Sequence, residues 1–267
     1  MALTKAAHRM IEGGSVKAKD FGAVGDGFTD DTAAIQAALD SHTRRITVEL
    51  GGEGYTYKIT DSLVITGDYK VLDGKGSSIN TFFTDKIAIA IHPLTTEVQT
   101  FSGVKNLSLW GDNNSGNATV GIQISGKSYN AQTSNITINY FGLSPATGGI
   151  GFEVKGLAGG GNAPYFGNHI NIKTNQCYDG FYVHGTDAAS VVTTNTFINP
   201  YCATMRNVAF SLKYTTGNVL VGIAAESCVG AGLKLDYVNG LYVQGGFLEG
   251  NSPNFVATNS ATSVLNT

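Results

Sequence analysis

Asn195-Thr196-Phe197-Ile198, Asn218-Val219-Leu220-Val221 and Gly240-Leu241-Tyr242-Val243 each set an asparagine or glycine ahead of two apolar positions two residues apart. Alternation of that kind predicts short strands. A second strand follows each one, with Phe210 and Leu212, Leu233 and Leu235, then Phe255 and Ala257 in matching places. The step from Phe210 to Leu233 is 23 residues and from Leu233 to Phe255 is 22. A period in the twenties predicts a solenoid, whose coils bury their apolar face only by stacking on one another.

The pattern extends toward the N-terminus with looser spacing. A first-strand column reads Leu107, Ile136, Ile170, Thr196, Val219, Leu241, and a second-strand column reads Ile122, Phe152, Phe181, Phe210, Leu233, Phe255. The strands persist while one loop per coil changes length. The predicted fold class is all-β, a single parallel β-solenoid. The longest loops are expected at residues 111–119, 142–149 and 156–168, on the side better suited to ligand contact.

Composition agrees. The 267 residues are 42% apolar and 14% charged, with 35 glycines, 12 tyrosines and 13 phenylalanines, which favours many turns and short strands. A net charge of -3 leaves no basic footprint for nucleic acid. No apolar run reaches membrane-spanning length, and the N-terminus lacks the apolar core of a secretory signal. Cys177, Cys202 and Cys228, about one coil apart, are expected as thiols in or near one stack, with no metal site and no cofactor.

Residues 1–15 form a polar lead-in or neck, and residues 16–267 are expected to form one solenoid domain. In Val16 to Asp40 a strand should end at Phe21, the Gly25-Asp26-Gly27 turn should reverse it, and Asp30 or Thr29 should cap a helix over about 31–40. Ala34, Ile35, Ala38 and Leu39 lie on one face of that helix, which would close the open end of the stack.

The segment Lys19-Asp20-Phe21-Gly22-Ala23-Val24-Gly25-Asp26-Gly27, followed by Thr29-Asp30-Asp31-Thr32 and Ala33-Ala34-Ile35-Gln36-Ala37-Ala38, resembles the opening of the pectate-lyase-like right-handed parallel β-helix family. With Arg9-Met10-Ile11-Glu12-Gly13-Gly14-Ser15-Val16 before it, it is most similar to the form found in bacteriophage tailspikes. The resemblance implies a right-handed β-helix with an N-terminal capping helix. It also implies a homotrimeric appendage of the virion tail, attached to other tail or baseplate proteins through its N-terminus, that binds and often cleaves a bacterial surface polysaccharide.

Several columns carry candidate chemistry. Asn106, Asn135, Asn195, Asn218 and Asn239 precede first strands and suggest a ladder of side-chain amides at a tight bend. Ser108, Thr137, Asn171, Phe197, Leu220 and Tyr242 are expected to face outward, as a subunit contact or as a sugar platform on Tyr242 and Phe197. Lys155, His184, Lys213 and Asp236 should stack on the second strand, with His184 a further candidate for substrate contact and Lys213–Asp236 a surface pair.

Glycoside hydrolysis needs two carboxyl groups, separated by roughly 5 to 9.5 Å. Glu226 and Glu249 sit at nearly equivalent places in successive coils and are the leading pair, although a one-residue offset leaves their faces open. The structural alternative is that both cap turns. Asp179, Glu153, Asp112 and Asp187 are further candidates. A lyase is less favoured, since no aspartate-rich calcium pattern is present and Arg206 is the only arginine beyond Arg45. Two functions remain: an endo-acting polysaccharide depolymerase, and a non-catalytic glycan-binding or structural spike.

Overall fold

The computed structural model describes residues 14–93, 97–111, 119–142 and 148–260, with the backbone of residues 264–266. Its strands pair in parallel, each with a strand one coil away in the sequence. A long sheet runs through Ser15–Lys17, Ile46–Glu49, Lys70–Asp73, Gly103–Trp110, Gln132–Asn139, Asn168–Asn175, Thr196–Ile198, Val219–Glu226, Tyr242–Glu249 and Val264–Asn266. A second sheet runs through Leu63–Ile65, Ile87–Ile91, Val120–Ser125, Ile150–Lys155, Asp179–His184, Phe210–Thr216, Leu233–Asn239 and Phe255–Thr258. The chain is a right-handed parallel β-helix.

In the second sheet the strands are straight as far as Lys213 and Asp236, beyond which Tyr214 and Tyr237 bend two of them at φ 49° and 53°, and the column read from the sequence is the one observed. Ile122 pairs with Phe152, Phe152 with Phe181, Phe181 with Phe210, Phe210 with Leu233 and Leu233 with Phe255. From Ile122 to Leu233 these side chains are buried inside the coil. Phe152 and Phe181 lie 5.6 Å apart between ring centroids, and Phe181 and Phe210 stack at 5.0 Å. Burying each such side chain contributes about 1.5–3 kcal/mol.

In the long sheet the corner falls in the middle of the strands and recurs in six successive coils. Asn106, Asn135, Asn171 and Asn199, then Gly222 and Gly245, occupy the left-handed region at φ between 50° and 66°. That conformation is open to glycine and tolerated by asparagine. At the corner the in–out alternation slips by one, so that Val104 and Leu107, three residues apart, both face inward and are buried. Before the corner each strand makes one limb; after it, the chain makes a second limb that also includes Asp26–Asp30, Thr56–Ile59 and Ser78–Thr81.

This slip corrects two expected columns. Ile136 pairs with Ile172 rather than Ile170, Ile170 pairs with Ile198, and Val219 pairs with Tyr242 rather than Leu241. Phe197 and Leu220, expected to face outward, lie on the inner side of the first limb, each 1% exposed. The amide ladder is likewise redistributed. Asn106 and Asn135 belong to the corner, Asn195 and Asn218 to a separate bend where their Oδ1 atoms accept the backbone N–H groups of Gly167 and Asn195, and Asn239 pairs with Thr216 as an ordinary strand residue.

At the N-terminal end, helix α1 (Thr32–Asp40) lays Ile35, Ala38 and Leu39 across the stack, with Ala34 partly buried beside them. The strand expected through Phe21 stops at Lys17, because Ala18–Phe21 is a 3-10 turn closed by Gly22 at φ 103°. Asp31 is the residue flanking α1, but its carboxylate reaches back to the N–H groups of Val24 and Gly25 at 2.7 and 3.1 Å. Asp30 accepts the N–H of Thr32 at 3.1 Å. The acidic pair thus ties the stretch after Gly22 to the cap, and Asp26 and Gly27, expected in a reversing turn, instead open the strand Asp26–Asp30, which pairs in parallel with Thr56–Ile59.

Candidate saccharide groove

Outside the corner, the second limb presents two parallel rows of side chains. One follows Ser108, Thr137, Lys173, Tyr201, Ala224 and Phe247; the other follows Trp110, Asn139, Asn175, Ala203, Glu226 and Glu249. A groove of about 600 Å³ runs along this face beside the amide ladder, lined by Asn135, Asn171, Asn199, Thr137, Lys173, Tyr201 and Gly222 among others.

Glu226 and Glu249 are direct register partners, so the offset read from the sequence does not separate them. Both fall on the outer face, since the corner has already shifted the phase of each strand equally. Glu226 is half-buried and its Oε2 accepts the Tyr201 hydroxyl at 3.1 Å, whereas Glu249 is exposed. Burial, then the hydrogen bond to Glu226, hold the Tyr201 hydroxyl above its ordinary range and therefore protonated. Among the described residues neither carboxylate accepts a backbone N–H. Phe247, 48% exposed, gives the same end of the face an apolar platform.

The other candidates stand elsewhere. Tyr242 is half-buried on the outer side of the first limb, in a row with Thr196 and Val219. Phe197 packs inside against His169 at 4.7 Å and offers no surface to a ligand. His184 and Glu153 lie on the second sheet as a pair, with His184 Nε2 2.8 Å from Glu153 Oε1, and the Gln123 amide donates to Glu153 Oε2 at 2.5 Å. Burial pushes the Glu153 carboxyl up, but the hydrogen bonds from His184 and Gln123 and the nearby positive charges outweigh it and leave it below the ordinary carboxylate range. Tyr182 stacks on the His184 ring at 3.9 Å.

Asp179 accepts from the Asn207 side chain and the Val208 N–H, and burial raises its carboxyl. Asp187 is exposed and accepts the N–H of Ala189 in a turn. Asp112 lies outside the described residues. The column Lys155, His184, Lys213, Asp236 is observed as read, and Lys213 reaches Asp236 at 3.6 Å. Sequence reasoning missed Tyr201 and Lys173, whose place on the groove floor follows only from the corner.

Cys177, Cys202 and Cys228 are buried free thiols, and burial pushes Cys177 up to about 12. Among the described residues no group of histidines, cysteines and acids is arranged to hold a metal ion. Nor, among them, is any helix long and apolar enough to cross a membrane.

Residues 15–50 match the family model described as rhamnogalacturonase A/epimerase, pectate lyase-like. Among solved structures, ORF18 of Geobacillus virus E2 is similar at a TM-score of 0.53 and 18% identity, over 91% of this chain and 61% of that one. The phiAB6 tailspike, in complex with oligosaccharides of Acinetobacter baumannii surface polysaccharide, is similar at 0.59 and 21% identity, over 94% and 48%.

The fold is that of the pectate-lyase-like parallel β-helices. An iota-carrageenase complexed to iota-carrageenan fragments shares this β-helix at a TM-score of 0.60 and 14% identity, over 85% of this chain and 57% of that one. The chain therefore spans about half to three-fifths of the length of these structures. No curated protein matches its sequence.

Proposed function

We propose that this β-helix is part of a phage tailspike that binds a bacterial surface polysaccharide, capsule or lipopolysaccharide, along the outer face of the second limb and cuts it by endo-glycosidic hydrolysis. The observation that carries this reading is the register pairing of Glu226 with Glu249 on the face that bears the groove, with Glu226 held by Tyr201 of the groove lining. Adjacent coils are about 4.8 Å apart, close to the roughly 5–5.5 Å between carboxyl groups that suits a double displacement with retention. Glu226, oriented by the Tyr201 hydroxyl, attacks the anomeric carbon. Glu249 protonates the leaving oxygen and then takes a proton from the incoming water. The solved tailspike complexed to surface oligosaccharides supports the substrate class.

The same reading makes the spike a homotrimer of the virion tail, with residues 1–15 as the lead-in toward other tail proteins and 16–267 as one domain. The outer side of the first limb supports subunit packing, since Ile170, Ile198 and Val221 form an apolar row there, with Val219 and Tyr242 in the row beside it. Light scattering should give three times 27.9 kDa; a monomer would count against the trimer.

A second reading, a non-catalytic glycan-binding spike, is favoured by the setting of Glu249, which is exposed and has no side-chain hydrogen bond among the described residues. A reducing-end assay on host polysaccharide separates the two. The hydrolase reading expects oligosaccharide release by the wild type and at least ~100-fold less from Glu226→Gln or Glu249→Gln. Equal, background release by all three, with polysaccharide still bound, leaves the non-catalytic reading standing.

A further inference from the structure

At the corner of the long sheet, side-chain amides form a polarised chain. Asn106 Nδ2 donates to Asp73 Oδ1 at 3.0 Å, Asn135 Nδ2 to Asn106 Oδ1 at 3.1 Å, Asn171 Nδ2 to Asn135 Oδ1 at 3.0 Å, and Asn199 Nδ2 to Asn171 Oδ1 at 3.1 Å. The direction is not arbitrary. Asp73 carries an ionised carboxylate: burial raises it, but Asn106, the Lys75 N–H and Lys105 outweigh that and hold it below its ordinary range. A carboxylate only accepts, so Asn106 must present its NH₂ group to it, and each following amide is forced the same way round. Aligned amides polarise one another, and the far end of the chain is an acceptor, Asn199 Oδ1.

The next coil does not continue the chain. Its corner residue is Gly222, at φ 66°, and the one after is Gly245, at φ 62°. A Cβ at Gly222 would clash with Asn199 Oδ1 at 2.7 Å, so glycine at this corner is what leaves that acceptor open to an approaching group. Among the described residues no donor reaches Asn199 Oδ1. The opening gives onto the 600 Å³ groove, between Asn199 and the Tyr201 side chain that anchors Glu226.

We propose that Gly222 and Asn199 form a hydroxyl-recognising subsite, in which a hydroxyl of a neutral sugar residue takes the place of the missing amide and donates to Asn199 Oδ1. The subsite deepens the reading of this face as a saccharide groove and rests on it. Gly222 lies four residues before Glu226 in the strand Val219–Glu226, about 13 Å along it, so the sugar held there sits on the same coil as Glu226 and orients the chain that leads to the carboxylate pair. Asn199 is a positioning residue for that sugar, and Gly222 sets specificity by staying small.

The test is Gly222→Asn, which writes the missing rung into the chain. Asparagine already occupies this corner in four successive coils, so the backbone accepts it, but its Cβ displaces the Asn199 amide; a two-state unfolding transition by circular dichroism checks that the variant folds. Gly245→Asn makes the same change one coil farther along, away from Asn199, and serves as control. The probe is whichever fragment of an array of capsular and O-antigen oligosaccharides the wild-type chain holds, titrated by calorimetry. Gly222→Asn should weaken binding at least ~10-fold and Gly245→Asn less than ~2-fold; Asn199→Gly, which keeps the backbone but removes the acceptor, should lose about 10-fold. Wild-type affinity in Gly222→Asn or Asn199→Gly, with the wild type binding well, overturns the subsite alone. A wild type that holds no saccharide overturns the groove reading and the subsite with it.

Discussion

The two sheets of this β-helix are built from similar strand lengths but do different work. Strands of the second sheet run straight through the stretch that carries the aromatic column, bending only beyond it at Tyr214 and Tyr237, and the result is a continuous file of Phe152, Phe181 and Phe210 in ring contact. Strands of the long sheet bend at a left-handed residue, which interrupts the alternation and folds the outer surface into a groove. The straight sheet concentrates apolar burial; the bent sheet gives up regularity and gains a concave face with amides, an oriented tyrosine and a carboxylate pair. Stability and recognition are thereby assigned to different sides of one coil.

That division is open to attack, beginning where the largest effect is expected. Phe181→Ala removes the middle ring of the file and should cost about 3–5 kcal/mol in urea unfolding, whereas Lys173→Ala on the groove floor should change stability by less than about 0.5 kcal/mol. If the two variants unfold at the same denaturant concentration, the contrast between the sheets is wrong.

Acid should come next. His169 is buried inside the first limb against Phe152 and Phe197, and burial, only partly offset by Asn195, pushes it down to about 3, against an ordinary value near 6.5. Its neutral form is the one that folds, so its contribution is complete above pH 6.5 and is lost as pH falls toward 3, at up to about 1.4 kcal/mol per pH unit. Glu153, held below its ordinary range, adds to the loss at lower pH. Equilibrium unfolding from pH 7 to 4 should show a shallower slope in His169→Phe than in the wild type; parallel slopes would remove His169 from the account.

Within the ladder, Asn171→Gly keeps the left-handed corner but breaks two amide hydrogen bonds, for an expected loss of about 1–2 kcal/mol. Amide exchange should speed up at the corner and not in the phenylalanine file. Smallest of all, Lys213→Ala removes a half-exposed pair with Asp236 and should fall within about 1 kcal/mol, shrinking further in high salt.

The same contrast explains what could be read from the chain alone. In the second sheet the period-two rule holds up to Lys213 and Asp236, ahead of the positive-φ residues Tyr214 and Tyr237, so the column from Ile122 to Phe255 and the file from Lys155 to Asp236 are legible residue by residue. In the long sheet each coil from Gly103 onward bends at a positive-φ residue, and Phe197 and Leu220, expected outside, therefore lie inside. Asparagine before an apolar pair marked a bend, but it did not say which of two bends. Asn171 and Asn199 were thus placed outside the ladder to which they belong, and Asn195 and Asn218 within one they do not join. Glu226 and Glu249 emerged as a pair because both follow the corner by the same number of residues, so the slip cancels. Tyr201 and Lys173 were invisible because their row exists only once the corner is counted.

The central claim, that the bent face is where saccharide is held, is tested most directly by a crystal structure of the chain soaked with an oligosaccharide it binds. The account predicts sugar density along Lys173, Tyr201 and Gly222, with a glycosidic oxygen near Glu226 and Glu249. Density over Tyr182 and His184 on the straight sheet, with the groove empty, would contradict it.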